Sequence, residues 1–337
     1  MKALLFEEYG EPLEVLRVQN IAEPAPGPGE IRVRVMRSPI QPSDLHVIRG
    51  RFGRQPPLPA SPGLEGMGAV DALGEGVAGL TVGTRVVFVN VPGLWREKIV
   101  CTADRVIPVP DALSDDVAAQ ALVNPVTALM LTIVEHKLAR GEWLVQTAAG
   151  STVGRLVLQL AQAEGFKTIN LVRRRDQISD IVHEGGHVVI CTEDEDWPQR
   201  VAAAAGVQGI GKAIDCVAGR TGARLARHLA PGGRLLVYGA LSSHRQSAPV
   251  AFELPIFTPR LIYGATTVQG WYLFHWLDVA PLQTVRKMMM DALDRLACGS
   301  LRLPETKTFA AAEIQSALFA AEASGPGKKP ILDLTQL

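Results

Sequence analysis

Only four cysteines stand in the 337 residues, Cys101, Cys191, Cys216 and Cys298, and no two form a C-x-x-C pair. That spacing argues against a disulfide scaffold and excludes a cysteine-rich zinc lobe, and it predicts a reducing, cytoplasmic setting. No run of about 18 apolar residues occurs, so no membrane-spanning helix is expected. The apolar start Met1–Phe6 meets Glu7 and Glu8 at once, too short for a signal peptide. An excess of either charge is also missing. Lys plus Arg is 34 and Asp plus Glu is 34, which argues against a nucleic-acid protein with a broad basic field. What is there is ordinary for a globular chain: 47% hydrophobic and 20% charged residues. That apolar content excludes disorder as the dominant state. The length predicts about two domains.

The first 120 or so residues are rich in Pro, Gly and Val, and Ile31-Arg32-Val33-Arg34-Val35 alternates as a half-buried strand does. Leu80 to Val89 reads as a turn followed by an apolar strand, and glycines punctuate this part closely. Residues 1–121 are therefore expected to form a mostly β domain. The character changes at Asn124, which can cap a helix with Pro125 in its first position. Strand and helix patterns then alternate. Strands are expected over 143–148, 167–172, 187–191, 212–217 and 234–238, with helices over 153–164, 176–184 and 219–229. Such βαβ alternation implies a parallel, doubly wound sheet in an α/β fold. The remainder, from about 275, is expected to hold one or two helices and a last strand over 330–334 that returns to the first domain.

One turn carries chemistry. Strand 143–148 runs into Ala149-Gly150-Ser151-Thr152-Val153-Gly154, and a helix follows. The first N–H groups of a helix and its dipole bind a pyrophosphate. Gly150 is expected to let the backbone approach a ligand, and Gly154 to let the helix lie close to the strand. Thr152 occupies the place of the middle glycine of G-x-G-x-x-G, so the pattern alone is compatible with a structural turn. Its position between strand and helix favours dinucleotide binding. After the next strand, where NAD enzymes place an Asp or Glu, stand Arg173, Arg174 and Arg175. Guanidinium groups pair well with the 2′-phosphate of NADP; a solvated basic turn is the alternative.

The sequence resembles the medium-chain dehydrogenase/reductase superfamily, and within it the zinc-free branch of quinone reductases and mitochondrial-type trans-2-enoyl thioester reductases. The stretches that carry the likeness span nearly the whole chain. They include Pro39-Ile40-Gln41-Pro42-Ser43-Asp44, Gly50-Arg51-Phe52-Gly53, Gly63-Leu64-Glu65-Gly66 and Asn124-Pro125-Val126-Thr127-Ala128. Gln146–Gly154, Thr168–Arg175, Asp215-Cys216-Val217, Tyr238-Gly239 and Gly270-Trp271-Tyr272-Leu273 follow in the same order. The resemblance implies a GroES-like β domain (1–121, with a return over 269–337) plus a doubly wound parallel Rossmann domain (122–268) that binds NADPH. It implies cofactor contacts from Gln41, Thr127, Gly150, Ser151, Thr152, Val153, Gly154, Arg173, Arg174, Arg175, Tyr238, Gly239, Trp271, Tyr272 and Leu273. Lys329 aligns with a cofactor-side lysine, with a surface lysine as the alternative. It implies a homodimer through the Rossmann sheet edge, here expected at 261–268. Phe52 falls where relatives carry the tyrosine proposed as proton donor, which leaves Tyr272 as a replacement candidate.

Other signals weigh against metal chemistry. Zinc alcohol dehydrogenases place a Cys just before an Asp-Leu-His-like stretch and a His in Gly-His-Glu; here the residues are Pro42-Ser43 and Leu64. His46 and Glu65 remain and read as a polar structural pair. His183-Glu184-Gly185-Gly186-His187 matches H-E-x-x-H, but two adjacent glycines disfavour the helix that motif needs. Asp194, Glu195 and Asp196 read as a solvated acidic loop. Trp271, Tyr272, Phe274 and Trp276 form an aromatic cluster, either core or dimer edge or nicotinamide pocket.

The expectation is an NADPH-dependent, zinc-independent reductase of quinones or activated C=C bonds, acting on small molecules, with neither nucleic acid nor membrane as partner. The alternatives are a zinc-free NADP-linked alcohol or carbonyl dehydrogenase and a non-catalytic NADPH-binding protein.

Overall fold

The computed structural model describes residues 1–246, 248–323 and 327–337. The chain divides into two compact units. The first comprises Met1–Val126, Phe274–Gly299 and Leu303–Leu337, and the second Thr127–Leu273 and Ser300–Arg302.

The first unit is built on a sheet whose order is Thr306–Ala310, Lys329–Asp333, Glu30–Pro39, Met67–Leu73, Arg85–Phe88 and Val106–Pro108. Lys98–Thr102 also pairs with Glu30–Pro39. The alternation in Glu30–Pro39 works as its spacing demands: Ile31, Val33 and Val35 are fully buried, and the intervening Arg32 and Arg34 are not. The C-terminal strand enters this sheet antiparallel to Glu30–Pro39, with Ile331 opposite Pro39. Lys329 is thereby carried next to the segment that contains Gln41. Helix Pro42–Ile48 follows, with Gln41 as its N-cap and Pro42 in its first turn.

The second unit holds a parallel sheet in the order Val188–Cys191, Lys167–Val172, Trp143–Gln146, Ile210–Asp215, Leu229–Val237 and Thr267–Gly270. Each neighbouring pair is parallel. Two apolar clusters form its core, one with Val145, Ile169, Ile190, Trp197, Val201, Leu225 and Leu235, the other with Leu158, Val172, Ile181 and Cys191. That burial is why these strands read as near-continuous apolar runs. The order reverses between Trp143–Gln146 and Ile210–Asp215, so a crevice opens beyond the carboxyl ends of those two strands.

Several expectations are corrected. The helix at the end of the first unit is Val123–Leu129, so Asn124 lies inside it rather than capping it. The cap comes from Glu65, whose Oε2 accepts the Val123 N–H at 2.8 Å. The expected dimer segment 261–268 is not one strand. Helix Thr258–Tyr263, with Pro259 in its first turn, covers its start, and the edge strand is Thr267–Gly270. The acidic segment is not simply solvated. The Asp194 side chain is 9% exposed and pairs with Arg175 and with Arg200, the latter at 2.7 Å. Helix Trp197–Ala205 begins directly after it.

His183 ends helix Ile178–His183, Gly185 sits at φ 91° and strand Val188–Cys191 follows. The two histidines of H-E-x-x-H therefore share no helix. Among the described residues no helix is long and apolar enough to cross a membrane.

Candidate functional site

In the second unit, every expected cofactor residue beyond Thr127 follows the carboxyl end of a strand of the parallel sheet. Gly150 to Gly154 follow Trp143–Gln146, and Arg173 to Arg175 follow Lys167–Val172. Tyr238 and Gly239 follow Leu229–Val237, and Trp271 to Leu273 follow Thr267–Gly270. Parallel strands put all of these at one edge of the sheet, where such folds bind ligands. Thr127 is buried in helix Val123–Leu129.

The phosphate turn is shaped by residues other than those the glycine pattern suggested. Ala148, not Gly150, takes the left-handed conformation, at φ 47°. Gly150 does not need that freedom, and a Cβ there would meet only the Gln177 side chain, at 3.1 Å. Gly154 is the strict one, since a Cβ there would lie 2.5 Å from the Ala149 backbone oxygen. Ser151 caps helix Thr152–Glu164 by accepting the Gly154 N–H at 3.1 Å. The N-terminus of this 13-residue helix thus meets a turn that comes close to its backbone. An anion is stabilised at such a helix end. The cradle suits the pyrophosphate of a dinucleotide.

Two residues that the glycine pattern did not single out hold the neighbouring turn. Thr147 Oγ1 donates to Asp215 Oδ1 at 2.6 Å and accepts the Cys216 N–H at 3.1 Å. Asp215 also accepts the N–H groups of Val217 and Ala218, at 2.8 and 3.0 Å. Asp215 is fully buried, and burial pushes its carboxyl above the usual range. This net ties the ends of strands Trp143–Gln146 and Ile210–Asp215 at the crevice.

The arginines differ in their surroundings. Arg174 pairs with Asp176 at 3.1 Å, and Arg175 with Asp194. Arg173 is exposed and makes no ion pair among the described residues.

In the first unit, Gln41 and Lys329 come together in a buried ionic cluster with two carboxylates. Lys329 Nζ donates to Gln41 Oε1 at 2.7 Å, and Gln41 Nε2 donates to Glu65 Oε1. Asp44 accepts the Gln41 N–H at 2.7 Å and the Leu64 N–H at 2.9 Å. Asp44 and Glu65 are fully buried. Burial pushes Asp44 up to about 7 against the pull of its backbone N–H donors. It likewise raises Glu65 and lowers Lys329, each against the attraction of the other. In the sequence Asp44 stands only within a motif stretch, and Glu65 reads with His46 as a polar structural pair; in the structure Glu65 accepts from Gln41 and Val123, partners that lie 24 and 58 positions away and leave no local signal.

Phe52 sits elsewhere in the first unit. Its ring meets that of Phe274 edge-on, with centroids 5.4 Å apart and planes 76° apart. Trp271 and Leu273 are buried and Tyr272 partly so.

Comparisons with known proteins agree with this architecture. The model of the alcohol dehydrogenase GroES-like domain matches residues 27–111, and that of the zinc-binding dehydrogenase matches 152–293. A mitochondrial enoyl-[acyl-carrier-protein] reductase of Rattus norvegicus is 30% identical over 342 residues, spanning 100% of this chain and 88% of the relative. The human counterpart is 30% identical over 349 residues, with 99% and 89% covered. The chain belongs to the medium-chain dehydrogenase/reductase superfamily. Its relatives put it in the branch of enoyl thioester and quinone reductases. The crystal structure of a protein described as an NADPH:quinone reductase from Bacillus thuringiensis superposes with a TM-score of 0.90 at 28% identity, covering 98% of each chain. A mutant form of enoyl thioester reductase from Candida tropicalis shares the fold at a TM-score of 0.83 and 23% identity, over 98% of this chain and 99% of that one.

One matching model of this dehydrogenase superfamily is described as zinc-binding. Zinc takes Cys, His or carboxylate ligands, usually four in all. The two ligand positions hold Pro42 or Ser43 and Leu64. Both oxygens of Glu65 already accept hydrogen bonds, from Gln41 and Val123. Among the described residues no group of three or more His, Cys, Asp or Glu is placed to hold a metal ion. These residues do not fit a catalytic zinc.

Proposed function

We propose that this chain is an NADPH-dependent, zinc-independent reductase of quinones or activated C=C bonds, the latter in α,β-unsaturated carbonyls or enoyl thioesters. The observation that carries the reading is the cradle at 148–154 with three arginines after the next strand, on a superfamily scaffold whose zinc ligand positions hold Pro42 or Ser43 and Leu64. The relatives named as enoyl reductases and the structure described as an NADPH:quinone reductase support it.

The turn and helix Thr152–Glu164 would hold the pyrophosphate, and Arg173 to Arg175 the 2′-phosphate. Gln41, Thr127, Tyr238, Gly239, Trp271, Tyr272, Leu273 and Lys329 complete the proposed cofactor contacts. When bound, NADPH supplies a hydride equivalent. The chain's part is to exclude water, align the reactants and place donors where negative charge develops on the substrate oxygen. Phe52 has no proton to give, so protonation falls to solvent or to Tyr272. A homodimer through the edge strand Thr267–Gly270 belongs to the same proposal, supported by the exposed Ile262 and Tyr263 in the helix that precedes that strand. So does a reducing, cytoplasmic compartment, supported by four cysteines that are all unbridged.

The test is NADPH oxidation with 1,4-naphthoquinone, crotonyl-CoA, 2-hexenoyl-CoA and a simple enone, before and after chelation. Turnover of at least one acceptor, unchanged by the chelator, is expected. No turnover of any acceptor, or loss of activity with the metal, overturns the reading.

A further inference from the structure

The parallel sheet of the second unit carries a polar pair where its packing is otherwise apolar. Thr168, Asn170 and Val172 alternate onto one face of their strand, and there Val172 packs with Leu158 and Ile181. Asn170 is in register with Gln146 on the neighbouring strand, and Gln146, Thr168 and Asn170 are fully buried. Gln146 Nε2 donates to Asn170 Oδ1 at 2.8 Å and to Gly154 O at 3.1 Å. Asn170 Nδ2 donates to Thr168 Oγ1 and to Val188 O, each at 3.0 Å. Both amides are held in one orientation, because a reversed Gln146 would turn its oxygen toward two acceptors. Its Oε1 has no hydrogen-bond partner among the described residues. An unpaired buried oxygen costs stability, so stability alone does not account for an amide at this place. What the pair joins does account for it. Gly154 lies in the first turn of helix Thr152–Glu164, whose N-terminus forms the cradle. Asn170 stands three positions before Arg173 on the strand that leads to it. The near end of the cradle is tied to the same strand by the Ala149 N–H, which bonds to Leu171 O at 3.0 Å. The amide pair ties the far end, the helix itself.

We infer that Gln146 and Asn170 are positioning residues that fix the distance between the pyrophosphate cradle and Arg173. In the reductase reading, on which this rests, NADPH is held at both places. A ligand with two anionic anchors is sensitive to the spacing of their sites, because charge-assisted hydrogen bonds depend on geometry. Of the two anchors NADH uses only the pyrophosphate, so it can follow the helix if the helix shifts on the sheet. NADPH cannot follow without losing Arg173. The amide pair therefore sets the preference for NADPH without touching either cofactor. Arg173 is itself held from the next strand, where Cys191 Sγ donates to its carbonyl oxygen at 3.2 Å. That strand is the one whose Val188 O the Asn170 amide meets, so a shift of the pair is felt at both ends.

The experiment titrates the full chain with NADPH and with NADH by fluorescence, for the parent and for the Gln146→Met and Asn170→Leu variants, alongside thermal unfolding. Gln146→Met is also made in the Arg173→Ala background. Methionine keeps the unbranched shape and removes the donor; leucine keeps the bulk of Asn170 and removes the acceptor. In each variant the Kd for NADPH should rise about tenfold, the loss of roughly one charge-assisted contact, while that for NADH changes little. In the Arg173→Ala background the same Gln146→Met change should leave the Kd for NADPH almost as it was, because the second anchor has already gone. Such a cycle isolates the coupling between the two positions. A side chain that only supports the fold would weaken both cofactors alike and act equally in both backgrounds. An unchanged Kd for NADPH in both variants, equal losses for the two cofactors, or equal losses in the two backgrounds overturns the assignment and leaves the reductase reading intact. Failure of both variants to fold shows that the pair carries the fold itself and overturns it too. A parent that binds NADPH no more tightly than NADH overturns both the assignment and the 2′-phosphate reading.

Discussion

Lys329 donates to Gln41 Oε1 at 2.7 Å although 288 positions of sequence separate the two residues. The other end of the same amide donates to Glu65, so its orientation is set by an ammonium on one side and a carboxylate on the other. Lys329 is the cation that acts on both Asp44 and Glu65. Replacing it by Met leaves two buried carboxylates without a counter-charge, and breaking such a pair commonly costs about 3–5 kcal/mol. Urea unfolding of Lys329→Met at neutral pH should show a loss of that order. A loss below about 1 kcal/mol would mean that the ammonium is effectively solvated and does not hold Gln41.

The same cluster gives a pH dependence with a definite sign. The folded-state value of Asp44 is raised to about 7 from 3.8, chiefly by burial. The folded protein therefore holds the proton more tightly than the unfolded chain. The stabilisation is fully present below pH 3.8 and is lost as pH rises through about 7. Lys329 is shifted down to about 8 from 10.5, so its contribution is present above the unfolded value and is lost as pH falls through the folded one. In denaturant titrations, the stability of the parent relative to Asp44→Asn should decline between pH 4 and 7, with a slope of at most about 1.4 kcal/mol per pH unit. A difference that is flat across this window would show that Asp44 is ionised throughout.

Selectivity between the two nicotinamide cofactors should rest unequally on the three arginines. Arg175 is already engaged by Asp194 and Arg174 by Asp176, whereas Arg173 is exposed without an ion pair among the described residues. A charge-assisted contact contributes about 1.5–3 kcal/mol. Arg173→Ala should raise the Kd for NADPH at least tenfold and leave that for NADH almost unchanged. Arg175→Ala should have the smaller effect. Fluorescence titration of both cofactors decides this, and equal affinity of the parent for NADPH and NADH removes the basis of the assignment.

The parts of this molecule that could be read from sequence are those set by local periodicity. Strand Glu30–Pro39 and the sheet of the second unit were legible because burial on one or both faces writes itself into neighbouring residues. Helix Thr152–Glu164 was legible from its small-residue turn. What escaped was set by partners far along the chain. Asn124 has a capping side chain, but the helix starts at Val123, two residues before the expected Pro125, where Glu65 accepts the Val123 N–H. Asp194 looked like a solvated acid because Arg175 and Arg200, its partners, lie before and after it in a sequence rich in both charges. Helix Trp197–Ala205 was hidden behind that same acidic run. The ionic cluster needed the C-terminal strand to pair with Glu30–Pro39 before Lys329 could be placed beside Gln41.

Phe52 allows the two substrate classes to be separated. The ring packs edge-on against Phe274, so the position is shaped for an aromatic side chain. In the enoyl thioester reductases that this chain resembles, a tyrosine at this place is the proposed proton donor. Phenylalanine keeps the packing and lacks the titratable proton. Enoyl thioester reduction needs a proton delivered to carbon, and side-chain acid catalysis contributes about 10²–10⁴-fold. Quinone reduction ends in an oxygen anion that solvent protonates. The parent chain should therefore favour 1,4-naphthoquinone over crotonyl-CoA. Phe52→Tyr adds one hydroxyl to the same ring. It should raise kcat/KM for crotonyl-CoA by about tenfold or more, within the range for acid catalysis, while that for the quinone changes little. Measuring both acceptors in the same preparation controls for a general effect on folding or on NADPH binding. If the parent already reduces 2-enoyl thioesters with kcat near the enzymatic median of about 10 s⁻¹, the missing hydroxyl is not limiting. The proton must then come from another group, and Tyr272→Phe becomes the decisive variant.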